Sequence, residues 1–220
     1  IIDDSLFLYR DTAGNQDDLS ANLWSPRIGA LFQPDETSTY YVSFGQSYNT
    51  SADTYQFALG NFATGGTNAK LGNTPPEKSR NIEIGAKWDL FDQRATLNAA
   101  LFRSEKYNER NTDPDSAATQ ALLSGKRHAT GVELSAAGRI TPDWEVFYNH
   151  TWIPSARIDQ SNVALSATGA GAQVQGDRPA LTPKHSLSLW STYRVTPRWR
   201  VGLGMTYRGE QNPEGARTVL

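Results

Sequence analysis

Along residues 81–90 the side chains alternate without a break: Ile82, Ile84, Ala86, Trp88 and Leu90 fall on one side, and Asn81, Glu83, Gly85, Lys87 and Asp89 on the other. A period of two specifies a β-strand with two chemically different faces, whereas a helix would scatter the same apolar residues around its axis. The pattern recurs through Tyr40, Val42, Phe44 and Tyr48, through Trp144, Val146, Tyr148 and Trp152, and through Trp199, Val201, Leu203, Met205 and Tyr207. Shorter versions run through Val132, Leu134 and Ala136 and through Leu187, Leu189 and Tyr193. Only 94–106 is ambiguous, because Leu97, Ala99 and Leu101 compete with Ala100 and Phe102 for the apolar side.

The connections repeat as well. Arg139-Ile140-Thr141-Pro142-Asp143-Trp144-Glu145-Val146 and Arg194-Val195-Thr196-Pro197-Arg198-Trp199-Arg200-Val201 are two copies of one hairpin module, each with a Thr-Pro turn and a Trp opening the outgoing strand. Short turns are expected near 34–35, 92–93, 141–142 and 196–197, and long loops near 12–24, 49–79, 108–126, 158–182 and from 210 onward. They alternate. Loops that long are uncommon in compact soluble domains, but an outer-membrane β-barrel has short turns on one rim and long loops on the other.

The mean hydropathy of −0.56 does not oppose a membrane reading, since only every second residue of a barrel strand faces lipid. Strands of about 10 residues, rising about 3.3 Å each and tilted near 40°, span about 25 Å of apolar band. Trp88, Trp144, Tyr193 and Trp199 lie near short turns, and Tyr48, Tyr107, Trp152 and Tyr207 near the far strand ends. Two such rings suit the two interfaces of a bilayer. On the second face Glu83, Lys87, Glu133, Glu145, Arg200 and Arg208 would be costly in a dry core. They suit a wetted lumen. A soluble adhesive β-sandwich, with the aromatics as its core, is the rival reading.

A net charge of −2 gives no sign of a nucleic-acid partner, and the absence of cysteine removes disulfides and thiolate metal sites. His128, His150 and His185 have no metal-ligand spacing, and no catalytic, metal or cofactor site is expected. About nine strands can be counted, an odd number that does not close a bacterial barrel. The chain is therefore expected to be an internal piece of a larger one.

With strands and turns placed, the sequence resembles the TonB-dependent siderophore receptors. Ser25-Pro26-Arg27-Ile28-Gly29-Ala30-Leu31-Phe32-Gln33-Pro34 and Tyr40-Tyr41-Val42-Ser43-Phe44-Gly45 resemble a strand, turn and strand of that family. The most specific stretch is Pro76-Glu77-Lys78-Ser79 with Glu83, Gly85 and Lys87 following at the family's spacing. Ala99-Ala100-Leu101-Phe102-Arg103 and Gly131-Val132-Glu133-Leu134-Ser135 continue it in order. Thr182-Pro183-Lys184-His185 and Tyr207-Arg208-Gly209-Glu210-Gln211 resemble later strands, especially of catecholate-type receptors. The resemblance implies an all-β fold: an antiparallel meander within a 22-stranded outer-membrane barrel, with short periplasmic turns, long extracellular loops and an N-terminal plug driven by TonB. Residues 1–220 are then expected to be a partial barrel domain, without plug or closing strands.

On that resemblance the chain is expected to serve uptake of a ferric siderophore of catecholate type across the outer membrane of a Gram-negative bacterium. The expected partners are that ferric ligand, TonB acting through the plug, and outer-membrane lipid with lipopolysaccharide. A catecholate complex is a bulky anion with aromatic faces, so cations and aromatic platforms are the candidate contacts. Those are Tyr55, Phe57, Lys70, Arg110, Lys126, Arg127 and Arg178. A passive porin-like channel and an outer-membrane enzyme are the other readings of a barrel wall.

The facing assignment makes its own prediction. In the complete barrel, Ile84→Arg would cost roughly 2–4 kcal/mol near the bilayer midplane. Outer-membrane yield and heat-modifiable gel mobility should both fall.

Overall fold

The computed structural model describes residues 7–10, 16–19, 22–49, 76–112, 120–161 and 174–211. Every regular element among them is a strand. β1 (Phe7–Arg10) and β2 (Gln16–Leu19) form a small antiparallel hairpin. The remaining strands are β3 (Arg27–Phe32), β4 (Ser38–Asn49), β5 (Glu77–Leu90), β6 (Ala95–Thr112), β7 (Gln120–Thr141), β8 (Trp144–Gln160), β9 (His185–Thr196) and β10 (Trp199–Arg208). They build one eight-stranded sheet in which each strand pairs with its sequence neighbours, from β3 at one edge to β10 at the other.

Two expectations about the loops change. Residues 12–24 contain β2, so the described strands number ten rather than about nine. The expected loop at 108–126 is mostly strand, because β6 runs to Thr112 and β7 starts at Gln120. Asn108, Glu109 and Arg127 are polar, yet the ladder continues through them, with register shifts at Tyr107/Glu109 and Glu109/Asn111. Polarity marked the end of the lipid-facing band and not the end of the strand.

The short turns fall where the sequence puts them. Pro142-Asp143 joins β7 to β8, and Pro197-Arg198 joins β9 to β10. Thr141 Oγ1 accepts the Asp143 amide at 3.4 Å, and Thr196 Oγ1 accepts the Arg198 and Trp199 amides at 3.3 and 3.1 Å. Threonine thus satisfies amides that the tight turn leaves unpaired.

Pairing of β5 with β6 settles the ambiguous segment. Leu97, Ala99 and Leu101 lie opposite Trp88, Ala86 and Ile84, so they join the apolar face. Ala100 and Phe102 face the other way, opposite Gly85 and Glu83. On that polar face two glycines make room for rings. A Cβ on Gly85 would lie 2.5 Å from the Tyr41 ring, and one on Gly131 would lie 2.8 Å from Phe102 and 2.6 Å from the Trp152 carbonyl. Gly131 also sits at a bulge, where Ile153-Pro154 on β8 adds an extra residue between Trp152 and Ser155. Proline is tolerated at such a break in the ladder.

No second layer covers the apolar face among the described residues. Ile82, Ile84, Leu101, Val201 and Leu203 are 52, 57, 56, 53 and 75% exposed. The buried apolar residues described are Ala95, Ile158 and Val174. A soluble sandwich would bury that row, so the exposed band decides against it. Aromatics frame the band: Tyr40 meets Trp88 edge-on at 6.2 Å near the turns, and Trp152 stacks on His185 at 6.2 Å near the far ends.

At the turn end Gly138 adopts φ 143°, and a Cβ there would fall 2.3 Å from the Arg94 carbonyl and 2.4 Å from Ala95 Cα. Gly138→Ala should therefore cost about 1–3 kcal/mol in backbone strain alone. The expected result is a lowered midpoint in the heat-modifiability transition, larger than that of Ala137→Gly in the same strand.

Candidate functional site

Strand alternation sends neighbouring residues to opposite faces, and this sorts the polar residues at the loop end into two groups. On the polar face the column of Glu83 continues through Asn81, Ser79 and Glu77, and that of Phe102 through Ser104 and Lys106. Arg27 of β3 lies opposite Gly45 on the same side, and Arg127 of β7 opposite Lys106. Of these, Arg27, Ser79, Asn81, Ser104, Lys106 and Arg127 line a groove of about 590 Å³, closed on another side by Pro179, Ala180 and Thr182.

The groove's charges are organised. Glu77 and Glu109 are buried, at 7 and 5% exposure. Lys106 Nζ bridges them at 3.3 Å each, and Arg127 Nη2 reaches Glu109 at 2.8 Å. Asn49 donates to Glu77 at 2.9 Å. Each buried carboxylate thus has a cation in ion-pair contact, which offsets part of its desolvation cost. Ser104 donates to Asn81 at 2.6 Å. Arg27 is exposed at the groove's edge. The lining is cationic and hydroxyl-rich, suited to a polar anion.

Arg178 is engaged by the backbone. Its guanidinium donates to the carbonyls of Thr182, Ile153 and Pro183 at 2.7, 2.8 and 3.3 Å. Burial lowers its pKa from the usual guanidinium range. The side chain bolts the 179–182 segment over β8, helped by Gly176 N–H donating to the Ile158 carbonyl at 2.9 Å and Ile158 N–H to Asp177 at 2.9 Å. It shapes the groove wall from behind.

Lys126 and Arg127 separate. Arg127 enters the groove, while Lys126 projects from the apolar face, where its Nζ lies 5.0 Å from the Tyr107 ring centre and 3.8 Å from Glu105. Arg110 belongs to β6, but its side chain lies outside the described residues, as do Tyr55, Phe57 and Lys70 entirely. Arg27, Lys106, Ser79, Asn81 and Ser104 are groove residues that loop-based reasoning missed. The signal was present: extending the two-residue alternation upward from Glu83 and Phe102 finds four of them.

Three further residues, His128, Asp159 and Ser155, meet on the outer side of β7 and β8. His128 Nδ1 lies 2.8 Å from both Asp159 carboxylate oxygens, and His128 Nε2 lies 3.2 Å from Ser155 Oγ. The connectivity is that of a hydrolase relay. It also ties β8 to β7 just beyond the bulge. No group of three or more metal-ligating residues occurs among the described residues.

At the turn end of the polar face Glu145 binds Arg139 at 3.0 Å and Arg200 at 2.7 Å, joining β7, β8 and β10.

Comparison with known proteins places this wall. The chain is 32% identical over 193 residues to the catecholate siderophore receptor Fiu of Escherichia coli K12, covering 88% of this chain and 24% of that protein. It is also 32% identical over 189 residues to the probable TonB-dependent receptor BfrD of Bordetella pertussis, covering 86% and 23%. The chain thus spans about a quarter of the length of the curated relatives it matches. The closed-form crystal structure of Fiu superposes with a TM-score of 0.69 at 31% identity, covering 92% of this chain and 27% of that one. The unliganded ferric citrate transporter FecA, at 20% identity and a TM-score of 0.65, shares the fold. Proteins of this kind are receptors and transporters of the Gram-negative outer membrane, which explains an apolar sheet face left open to its surroundings. Residues 4–218 match the family described as TonB dependent receptor-like, beta-barrel, and the chain belongs to that family.

Proposed function

We propose that this chain forms part of the wall of an outer-membrane receptor that takes up a ferric siderophore of catecholate type, driven by TonB through a plug domain. One observation carries the reading: a single sheet has an uncovered apolar face on one side and a cationic, hydroxyl-lined groove on the other. Hydrocarbon suits the first face, and an anionic complex in a wetted lumen suits the second. The names of Fiu and of the probable siderophore receptor PiuA of Acinetobacter baumannii, 32% identical over 199 residues, support the ligand class. Outer-membrane lipid and lipopolysaccharide are the partners of the apolar side.

Lys106 and Arg127 are held by buried carboxylates and set the electrostatic floor of the groove. Arg27 stands at its edge and is the cation placed to meet an arriving anion. Tyr55, Phe57, Lys70 and Arg110 remain proposed contacts from the loops; Lys126 is withdrawn from the ligand set because it projects from the opposite face, and Arg178 because its guanidinium serves backbone carbonyls. The receptor performs no chemistry on its ligand, and the His128, Asp159 and Ser155 cluster is a strand-to-strand tie.

In the complete receptor Arg27→Ala should weaken binding of a ferric catecholate about tenfold, the loss of one charge-assisted hydrogen bond. Fluorescence titration measures it, and unchanged affinity would remove Arg27 from the site. Ser155→Ala should leave iron uptake unchanged. A fluorophosphonate probe should fail to label Ser155; specific labelling, abolished by His128→Ala, would show a working nucleophile and overturn the non-catalytic reading.

A further inference from the structure

Two histidines interrupt the apolar face where β8 meets β9. Tyr148, His150 and Trp152 alternate along that face of β8, and His185, Leu187 and Leu189 along the same face of β9. His150 lies opposite Leu134 of β7 and Leu187 of β9, and His185 lies opposite Trp152. The histidines are therefore diagonal neighbours across one strand pair. His150 Nε2 stands 3.1 Å from His185 Nδ1. The ring centres are 5.4 Å apart and the planes 19° apart, so the two nitrogens point at each other along one axis. Trp152 lies parallel to His185 at 6.2 Å, and Tyr148 meets His150 edge-on at 6.2 Å. Both imidazoles are held within the aromatic ring at the loop side.

An ionisable side chain on a lipid-facing wall is costly unless it has a partner, and it is a functional candidate by default. The bland account is a neutral pair sharing one hydrogen, which satisfies one nitrogen of each ring. The geometry goes further. Two ligand nitrogens about 2.0–2.1 Å from one ion stand about 2.9 Å apart at a right angle and about 3.3 Å apart at the tetrahedral angle. The observed 3.1 Å lies between these values. To open the pair, the shared hydrogen moves to the far nitrogen of its own ring. Both imidazoles then stay neutral and two lone pairs become free. The terminal torsion of histidine is soft, so both rings can turn toward one point without any shift of their strands.

We infer that His150 and His185 form a two-histidine site for a divalent late transition-metal ion, taking copper(II) most tightly. Imidazole suits copper, nickel and zinc, and copper(II) leads that order. No third histidine, cysteine or carboxylate joins the pair among the described residues. The site is therefore open and exchangeable, unlike a closed structural centre, and water completes the coordination. A bound ion clips β8 to β9 at the loop end. The site lies on the opposite side of the sheet from the groove and does not rest on the siderophore reading. Chain spacing hides it, because the two histidines are 35 residues apart and only the register brings them together.

The test uses the complete receptor in detergent, stripped of metal with a chelator, and titrates it with copper(II), zinc(II) and nickel(II) salts. Each variant is compared with the wild type, so that copper bound elsewhere in the receptor cancels. The copper paramagnetic resonance spectrum of the wild type should contain one centre with two nitrogen ligands, and both His150→Gln and His185→Gln should remove it. Copper affinity at that centre should fall at least about 10-fold, the smallest loss seen when even an outer partner of a metal ligand is removed. Zinc and nickel should bind more weakly than copper. Copper should also raise the wild-type midpoint of heat modifiability, and this shift should vanish in both variants. His128→Gln should change neither readout. If either glutamine variant assembles poorly, His150→Phe keeps a ring at the lipid boundary and replaces it. A two-nitrogen centre that survives in the His150 and His185 variants overturns the proposal, as does a wild type in which no such centre forms. Loss of the centre in His128→Gln alone would move the metal to His128 and Asp159 and equally overturn it.

Discussion

The antiparallel backbone ladder is the interaction on which everything else rests. β3 to β10 pair in sequence order, and each interior strand satisfies its amides and carbonyls through its two neighbours. In hydrocarbon an unpaired backbone group costs several kcal/mol, so a sheet can meet lipid only when its ladder is continuous. With the ladder doing this, side chains are free of the usual duty of building a two-layer core. That is why a wall with few buried apolar residues among those described still holds together. Local repairs protect the ladder where it is stressed: Gly131 at the β8 bulge, Gly138 against the Arg94 carbonyl, and the threonines of the Thr-Pro turns.

The two faces then diverge in chemistry by height as well as by side. Near the turns the polar face is locked by Glu145 between Arg139 and Arg200. Near the loops it opens into the groove, where Glu77 and Glu109 hold Lys106 and Arg127 in place. Buried carboxylates fix the cations in position before any ligand arrives, and such preorganisation reduces the ordering cost of binding. The outer face runs from aromatics through aliphatics to the cations around Tyr107. One strand therefore carries a different chemistry on each side with the same two-residue repeat.

Some of the functional map was legible and some was not. The facing of β5 and β10 and the two Thr-Pro turns were readable because each rests on neighbours in the chain. The groove was harder. Ser79 falls at the end of an expected loop, and Ser104 and Lys106 fall in the segment whose facing the sequence leaves ambiguous, yet the ladder pairs all three and carries the strands past them. Arg178 has the composition of a ligand contact, and only its three carbonyl partners reveal that it is a bolt. His128, Ser155 and Asp159 meet because the extra residue at Ile153-Pro154 shifts the phase of β8, which sequence spacing does not show.

The amino-acid sequence alone determined which residues alternate and where the chain turns tightly, because strand period and turn chemistry are local properties. Tertiary structure decided what the phase of β6 would be, which cations share a face, and how far each strand continues beyond the apolar band. The physical reason is register. A one-residue change in pairing sends every side chain to the opposite side, and register is fixed by the neighbouring strand and not by the strand itself.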